Sequence, residues 1–315
     1  MVTTHVCLAT TEYHQQAVDL SSPFNHEWCT YYLNSGLAHL PWVIGSEGKA
    51  VVIDPRRDCD IYTEIATKNG CRITYIFETH RNEDLLSGAR ALAEQTGATV
   101  FHGPNAAGKV VYADTTREGD EFTIGEVQIR VLETPGHTDD SLSFAFYDME
   151  FGEDAVGVFT GDALFVGDVG RTDFYPDRAR EVAGLLYDSL QKLCALGDQA
   201  VIYPAHGAGS VCGDAMANRE VSTIGYERRN NHRLKIADRE AFIAAKIAEH
   251  HKQPPYFRHI EAGNLQGASD VGAKLQPAAL EITEFQEAVS RAIVLDVRST
   301  SAFLGAHLPG SICHC

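Results

Sequence analysis

Short apolar runs alternate with amphipathic segments along most of this chain, and the alternation predicts strands interleaved with helices. Runs of β-branched and aromatic residues bounded by Gly, Asn or Ser predict strands, whereas apolar residues at i, i+3 and i+4 predict a helix with one buried face. The predicted strands are Thr30–Leu33, Pro41–Gly45, Ala50–Asp54, Ile73–Phe77, Thr99–His102, Glu121–Ile124, Val127–Leu132, Ser141–Tyr147, Val156–Thr160 and Ala200–Tyr203. The predicted helices are Ile61–Asn69, Glu83–Gln95, Arg178–Leu196 and Asp238–His250. Two mixed β-sheets covered by helices explain this order better than a doubly wound parallel sheet.

The C-terminal part of the chain has a different composition. A stretch rich in Gly, Ala, Ser and Asn, Ala262–Ala273, indicates a linker. We therefore predict a main domain at residues 1–262, a linker at 263–279 and a smaller unit at 280–315. The smaller unit has a predicted helix at Thr283–Ser290 and a strand at Ile293–Val297, and it is too short to bury a core by itself.

Charge and hydropathy exclude several classes of partner. Forty-three acidic and 26 basic residues give a formal net charge of −17, which repels nucleic acid and anionic membrane surfaces. No apolar run approaches the roughly 20 residues that a membrane-spanning helix needs. The N-terminus, Met1–Cys7, lacks the basic start and apolar core of a signal peptide. We expect a cytoplasmic protein whose eight scattered cysteines are reduced.

Candidate chemistry lies in three short segments that each follow a predicted strand. His80, His137 and Asp162 stand in Glu78–Asp84, Thr134–Thr138 and Thr160–Asp162. Each could be an ordinary buried or hydrogen-bonded residue. Together, two imidazoles and one carboxylate form the set that holds non-haem Fe(II) in oxygenases.

The residues that precede two of these side chains support the metal-binding interpretation. His137 follows Pro135-Gly136, a rigid turn that directs the imidazole away from the end of the strand. Asp162 follows Gly161, where the backbone can pass close to a ligand. The sequence therefore predicts a metal site at the ends of the strands.

Four segments of this chain resemble the metallo-β-lactamase superfamily, in order, within residues 30–260. They are Thr79-His80, Thr134-Pro135-Gly136-His137-Thr138, Thr160-Gly161-Asp162-Ala163-Leu164-Phe165 and Tyr203-Pro204-Ala205-His206-Gly207. The run Gly161–Phe174 more narrowly resembles the persulfide dioxygenase branch, although glyoxalase II relatives share parts of it. The resemblance implies an α/β fold of the αββα type, two mixed β-sheets flanked by helices, with a metal-binding catalytic domain.

One departure from the superfamily pattern is informative. Many dinuclear hydrolases of the superfamily carry THxHxDH, but here Asn82 and Leu85 occupy the second and third histidine positions. Leucine cannot bind a metal, and an amide is a poor substitute for imidazole on a transition metal. Persulfide dioxygenases use a single iron, and their ligands correspond to His80, His137 and Asp162.

The resemblance implies a mononuclear non-haem Fe(II) persulfide dioxygenase of sulfide detoxification. Such an enzyme takes a low-molecular-weight thiol persulfide and O2 as partners and forms sulfite and free thiol. Arg171, alone or through Asp173, is predicted to recognise a substrate carboxylate or to form a structural ion pair inside its loop, and Tyr203 is a weaker candidate for substrate binding. The main alternative is a hydrolase of thioesters or lactones with Zn in place of iron. A non-catalytic sulfur-carrier or interaction module that has lost metal binding is a third class.

Two further residues correspond to metal ligands of dinuclear relatives. Asp84 is predicted to orient a metal ligand or a metal-bound water without binding the metal itself. The alternative is an ordinary acidic residue at the start of a helix. His206 is predicted to line the pocket or to bond the substrate. Superfamily relatives often form dimers, so a homodimer is also expected.

The C-terminal segment has a resemblance of its own. Leu295–Ser299, Phe303 and His307–Ser311 resemble the start of a rhodanese domain. The loop that carries the nucleophilic cysteine of a rhodanese normally lies beyond this half. We therefore expect a truncated rhodanese-like α/β segment, in which Cys313 and Cys315 do not replace that cysteine.

Overall fold

The structure is a computed structural model that describes residues 20–21, 27–31, 38–104, 106, 108–150, 152–268 and 279–313, with the backbone alone for the first two ranges. The chain forms two compact units. One ends at Ser269, and the other contains the C-terminal residues from Asp270. Among the described residues, no helix is both long and apolar enough to cross a membrane.

The larger unit contains two mixed β-sheets. The first has the order β1-β2-β3-β4-β5-β6-β7, antiparallel from β1 to β4 and parallel from β4 to β7. The second has the order β13-β12-β11-β10-β9-β8, in which only β11 and β12 are parallel. The strands are β1 Leu20–Ser21, β2 Glu27–Tyr31, β3 Trp42–Ser46, β4 Lys49–Ile53, β5 Arg72–Phe77, β6 Thr99–His102, β7 Asp114–Thr115, β8 Glu121–Ile124, β9 Val127–Glu133, β10 Leu142–Asp148, β11 Gly157–Gly161, β12 Val201–Pro204 and β13 Ser222–Thr223.

Helices cover the outer face of each sheet. They are α1 Asp60–Lys68, α2 Ala89–Thr96, α3 Ala179–Cys194, α4 Ile224–Asn230, α5 Arg239–Ile247 and α6 Phe257–Gln266, with a 3-10 turn at Pro176–Arg178. One apolar cluster, including Trp42 and Phe144, fills the space between the sheets. A second cluster packs α3 and α5 on the second sheet, and a third packs α1 and α2 on the first. The predicted arrangement of two mixed sheets flanked by helices is confirmed.

The predicted helix over Glu83–Gln95 is wrong at its start, because α2 begins only at Ala89. Residues of the preceding loop bond to other elements instead of to one another. The Arg81 amide donates to Asp140 Oδ2 at 2.9 Å, and the Ser87 amide to Asn264 Oδ1 at 2.9 Å. A backbone N–H that donates to a distant residue cannot also donate to the carbonyl four residues earlier, as a helix requires.

The predicted linker at 263–279 begins inside a helix. Helix α6 continues to Gln266, and its buried residues include Phe257 and Asn264. Asn264 donates to the carbonyls of Asn82 and Leu85 at 2.8 and 2.9 Å, so this helix is tied to the loop after β5. The small residues of this segment predicted a linker. The sequence did not reveal the helix, because a contact made by a polar residue such as Asn264 adds nothing to the apolar periodicity that predicts helices. Residues 269–278 lie outside the described residues.

The C-terminal unit is small. It contains α7 Ile282–Val289, β14 Leu295–Asp296, α8 Thr300–Gly305 and β15 Ile312–Cys313, with β14 and β15 parallel. Cys313 is disulfide-bonded, so the expectation of reduced cysteines is wrong for this residue. Cys71, Cys194 and Cys212 are free thiols.

Candidate metal centre

Three ligand-type side chains meet where strands of both sheets end. His80 lies after β5, His137 after β9 and Asp162 directly after β11, and all three are buried. Asp162 Oδ2 lies 3.9 Å from His80 Nε2 and 3.5 Å from His137 Nε2. The structure thus brings together the three residues that the sequence predicts as metal ligands.

Hydrogen bonds made by Nδ1, on the side of each histidine ring that points away from the centre, determine which nitrogen faces the centre. The Thr79 hydroxyl donates its proton to Asp54 Oδ2 at 2.8 Å, so it can only accept from His80 Nδ1 at 2.9 Å. His137 Nδ1 donates to the carbonyl of Arg171 at 3.0 Å. With Nδ1 of each ring committed as a donor, Nε2 carries the lone pair that a metal requires.

Two glycines allow the close approaches on which this geometry depends. Gly136 has a φ of 137°, and a Cβ there would lie 2.4 Å from the amide nitrogen of Leu186 in α3. Gly161 has a φ of 53°, and a Cβ there would lie 2.8 Å from Cβ of Thr79. Both positions precede a predicted ligand directly, and a side chain at either would displace it.

A second group of polar side chains lies beside the first. His206 donates from Nδ1 to Asp162 Oδ1 at 2.7 Å, and its Nε2 lies 3.1 Å from Asp84 Oδ2. The Cys212 thiol lies 3.8 Å from Asp84 Oδ2 and 3.4 Å from Glu83 Oε1. His206, Asp84 and Cys212 are buried. Asp84 and His206 therefore stand next to the predicted ligands, and His206 orients Asp162.

The electrostatics of the centre favour bound positive charge. Burial raises the pKa of Asp162, but the adjacent His206 outweighs burial and holds that pKa well below its usual range. Burial lowers the pKa of His206, yet Asp162 and Asp84 raise it well above its ordinary value. Burial also lowers the pKa of His137, and Glu83 reverses the effect and raises it. Asp162 thus stays ionised and attracts either a proton or a cation.

Several buried atoms at the centre have no hydrogen-bond partner among the described residues. They are His80 Nε2, His137 Nε2, Asp162 Oδ2, Glu83 Oε2, Asp84 Oδ1 and His206 Nε2. Leaving a buried polar atom unpaired is costly, so such a set in one place indicates a missing partner. Nitrogen and carboxylate atoms that converge in this way fit a transition-metal ion.

The structure favours the ion-pair alternative predicted for Arg171. Its guanidinium is 1% exposed and holds Asp173 through two bonds, 2.6 Å from Nε and 2.7 Å from Nη2. Nη1 donates to the carbonyls of Val211 at 3.1 Å and Lys252 at 3.3 Å. Direct recognition of a substrate carboxylate is therefore not supported. Arg171 fixes the loop whose carbonyl orients His137.

Replacing Arg171 with lysine is expected to lower the free energy of unfolding by about 2 kcal/mol, because an ammonium cannot bond both oxygens of Asp173 and two carbonyls at once. Metal affinity should fall by roughly 10-fold through the loss of order at His137. Urea unfolding and metal titration measure the two effects. Arg130→Lys is the control, since Arg130 pairs with Glu121 at the surface. Equal stability of the two variants would contradict this role.

Other site residues were predicted differently or not at all. The ring of Tyr203 packs in the core, 4.9 Å from Trp42, and its described contacts do not include the centre. Sequence reasoning missed Glu83, Cys212 and His39. Glu83 could have been identified from its position three residues after His80. Cys212 and His39 are distant from the predicted ligands in sequence, so no local pattern indicates that they lie near the centre. The His39 ring lies 5.3 Å from that of His206, and burial lowers its pKa to about 3.

Comparison with known proteins agrees with this architecture. A family model described as the metallo-β-lactamase superfamily matches residues 35–206. A hydroxyacylglutathione hydrolase of Rhizobium etli is 34% identical over 160 residues. The match covers 50% of this chain and 57% of that relative, so less than two thirds of its length is represented.

Two solved structures extend the comparison over more of the chain. A metallo-β-lactamase from Staphylococcus aureus subsp. aureus COL has a TM-score of 0.80 at 28% identity, covering 92% of this chain and 85% of its own. ETHE1 from Myxococcus xanthus has a TM-score of 0.65 at 32% identity, covering 76% of this chain and 98% of its own.

Proposed function

The chain belongs to the metallo-β-lactamase superfamily, and from this premise we propose that it is a mononuclear non-haem Fe(II) persulfide dioxygenase. The observation that carries the proposal is the ligand set. His80, His137 and Asp162 converge, whereas Asn82 and Leu85 stand where a dinuclear hydrolase has two further histidines. The substrates would be a low-molecular-weight thiol persulfide, O2 and one water, which supplies the third sulfite oxygen, and the products would be sulfite, the free thiol and protons.

The chain's own residues suit this role. His80 and His137 would hold iron through Nε2, and Asp162 through Oδ2, because these atoms face one another without other partners. Bound iron would supply the O2-dependent oxidation of the terminal sulfur. Asp54 and Thr79 fix the His80 ring, the Arg171 carbonyl fixes His137, and His206 fixes Asp162. The likeness to ETHE1 supports this branch.

A second candidate function is hydrolysis of a glutathione thioester. It is favoured by the name of the Rhizobium etli relative and by Asp84 and His206, which keep the positions of second-metal ligands in dinuclear relatives. Leu85 weakens this candidate, because a buried aliphatic side chain supplies no ligand. Zinc at the centre would be its expected metal.

The test is anaerobic purification with metal analysis, followed by oxygen uptake on addition of glutathione persulfide or coenzyme A persulfide. We expect about one iron per chain and sulfite formation that depends on persulfide, as one three-residue ligand set implies. Zinc with no oxygen uptake, together with hydrolysis of an acylated glutathione, would overturn the dioxygenase in favour of the hydrolase. Absence of metal after reconstitution would point to a non-catalytic module.

A further inference from the structure

We infer that Glu83 is a fourth protein ligand of the metal, so that the centre is a two-histidine, two-carboxylate site and not a facial triad. The inference rests on the proposed function in so far as that function places a metal at His80, His137 and Asp162. It concerns the residue at the variable position before Asp84 in the THxHxDH pattern.

The loop that carries Glu83 is fixed on both sides. On one side, the Arg81 amide donates to Asp140 Oδ2 at 2.9 Å. On the other, Asn264 of α6 holds the carbonyls of Asn82 and Leu85 at 2.8 and 2.9 Å. Glu83 is itself 1% exposed. Its carboxylate therefore reaches the centre from a backbone that tertiary contacts hold in place.

The distances from Glu83 match those within the predicted triad. Oε1 lies 3.4 Å from His137 Nε2, and Oε2 lies 3.8 Å from His80 Nε2. The corresponding distances from Asp162 Oδ2 are 3.5 and 3.9 Å. Atoms that bind one ion at roughly 2.1 Å are about 3.0 Å apart at right angles and about 3.4 Å apart at tetrahedral angles. Both carboxylates are thus placed as ligands of the same ion.

The two histidine rings are oriented toward Glu83. Both rings donate through Nδ1, His80 to the Thr79 hydroxyl and His137 to the Arg171 carbonyl. Each Nε2 therefore faces an oxygen of Glu83, and neither Nε2 has a hydrogen-bond partner among the described residues. An ion held between these atoms would give each of them a partner.

Glu83 has no other partner that would satisfy both oxygens. Oε1 accepts from the Cys212 thiol at 3.4 Å, a weak bond to sulfur. Oε2 has no hydrogen-bond partner among the described residues, although it is buried. A buried carboxylate oxygen without a donor is costly, and metal coordination is a common resolution of that cost.

Coordination by Glu83 has two consequences for the site. A second carboxylate balances the charge of a divalent ion, so the loaded centre attracts an anionic substrate less than a facial triad would. Glu83 would also occupy coordination space that a facial triad leaves to substrate, and would hold the ion together with His80, His137 and Asp162. Glu83 thereby supplies a ligand that Asn82 cannot.

The experiment is a titration of Co(II), without oxygen, into the metal-free full chain and its Glu83→Gln and Glu83→Ala variants. We expect both variants to lose at least about 10-fold in affinity, as the removal of a metal-site residue does. Their Co(II) absorption bands should differ from those of the unaltered chain. Glu94→Gln is the matched control, because Glu94 is exposed and pairs with Arg90. Unchanged affinity and unchanged bands in both Glu83 variants would overturn the inference.

Thermal unfolding separates a ligand from a structural ion pair. A ligand role predicts that Glu83→Gln keeps or raises the unfolding temperature of the metal-free chain, since a buried negative charge is removed, while the increase caused by Co(II) shrinks. A structural pair with His137 predicts a lower unfolding temperature without metal and an unchanged increase on adding Co(II). The second result would overturn the inference.

The same data distinguish this inference from the proposed function, because the titration uses no persulfide. Tight Co(II) binding that depends on Glu83, without persulfide-dependent oxygen uptake by the iron form, supports the ligand role and refutes the dioxygenase. If the iron form takes up oxygen and the Glu83 variants bind Co(II) as tightly as the unaltered chain, the dioxygenase is supported and the ligand role of Glu83 is refuted. A chain that binds no metal refutes both.

Discussion

Replacement of His137 by alanine is expected to reduce bound metal from about one equivalent per chain to less than about one tenth, and to abolish metal-dependent turnover. His137 is fully buried, and its Nε2 lies within 3.5 Å of both Asp162 Oδ2 and Glu83 Oε1. Its removal leaves two carboxylates and one imidazole around a cavity. Metal analysis after anaerobic reconstitution measures the loss directly.

The control for this variant is His232→Ala. His232 is exposed and lies outside the centre, so its removal should change neither metal content nor turnover. Far-UV circular dichroism and thermal unfolding of the metal-free His137→Ala chain check that the fold persists. Retention of a full equivalent of metal by His137→Ala would contradict both the dioxygenase and the hydrolase, because each requires His137 as a metal ligand.

Replacement of Gly136 by alanine is expected to lower the free energy of unfolding by about 3 kcal/mol, the upper range for overpacking of a well-packed site. The backbone φ of 137° is strained for any residue with a side chain, and the added Cβ would lie 2.5 Å from Cα of Leu186. The obstacle is the backbone of α3, which cannot rotate away as a side chain does. Urea unfolding of the metal-free chain measures the change.

The same variant should also weaken metal binding, because relief of the overlap must move the turn that carries His137. Gly152→Ala is the matched control, since a Cβ at Gly152 would meet nothing within 4 Å. We expect that control to stay within about 0.5 kcal/mol of the unaltered chain. A change in the free energy of unfolding as small as that of the control would contradict the prediction, because α3 would then have to move away from the turn at no energetic cost.

The strands that present the predicted ligands could be located well from the sequence. Strands β5, β9 and β11 end within one residue of their predicted ends, at Phe77, Glu133 and Gly161. β11 is a short apolar run, β5 is a mostly apolar run, and β9 alternates apolar and polar residues up to Val131, which are the patterns of strands buried on two faces or on one. Because His80, His137 and Asp162 follow these ends closely, the sequence also predicted that they meet.

The supporting residues of the centre could not be predicted in the same way. Cys212 and Glu83 touch across 129 positions of the chain, and no local pattern encodes that contact. Arg171 was identified as important, but the sequence left its role open between substrate recognition and a loop ion pair, because its partners include carbonyls 40 and 81 positions away. A sequence shows which side chains could bind a charged group and does not show whether the fold has already paired them.

By itself the sequence determined the sandwich of mixed sheets, the three strand ends and the ligand types that follow them, because hydrophobic periodicity and turn chemistry act over a few neighbouring residues. Only the tertiary structure decided which atoms are left without partners at the centre, that Glu83 faces the same point as Asp162, and that Arg171 is an internal support. These properties depend on burial and on hydrogen bonds between distant segments. They arise only when both sheets and the loop held by α6 are packed together.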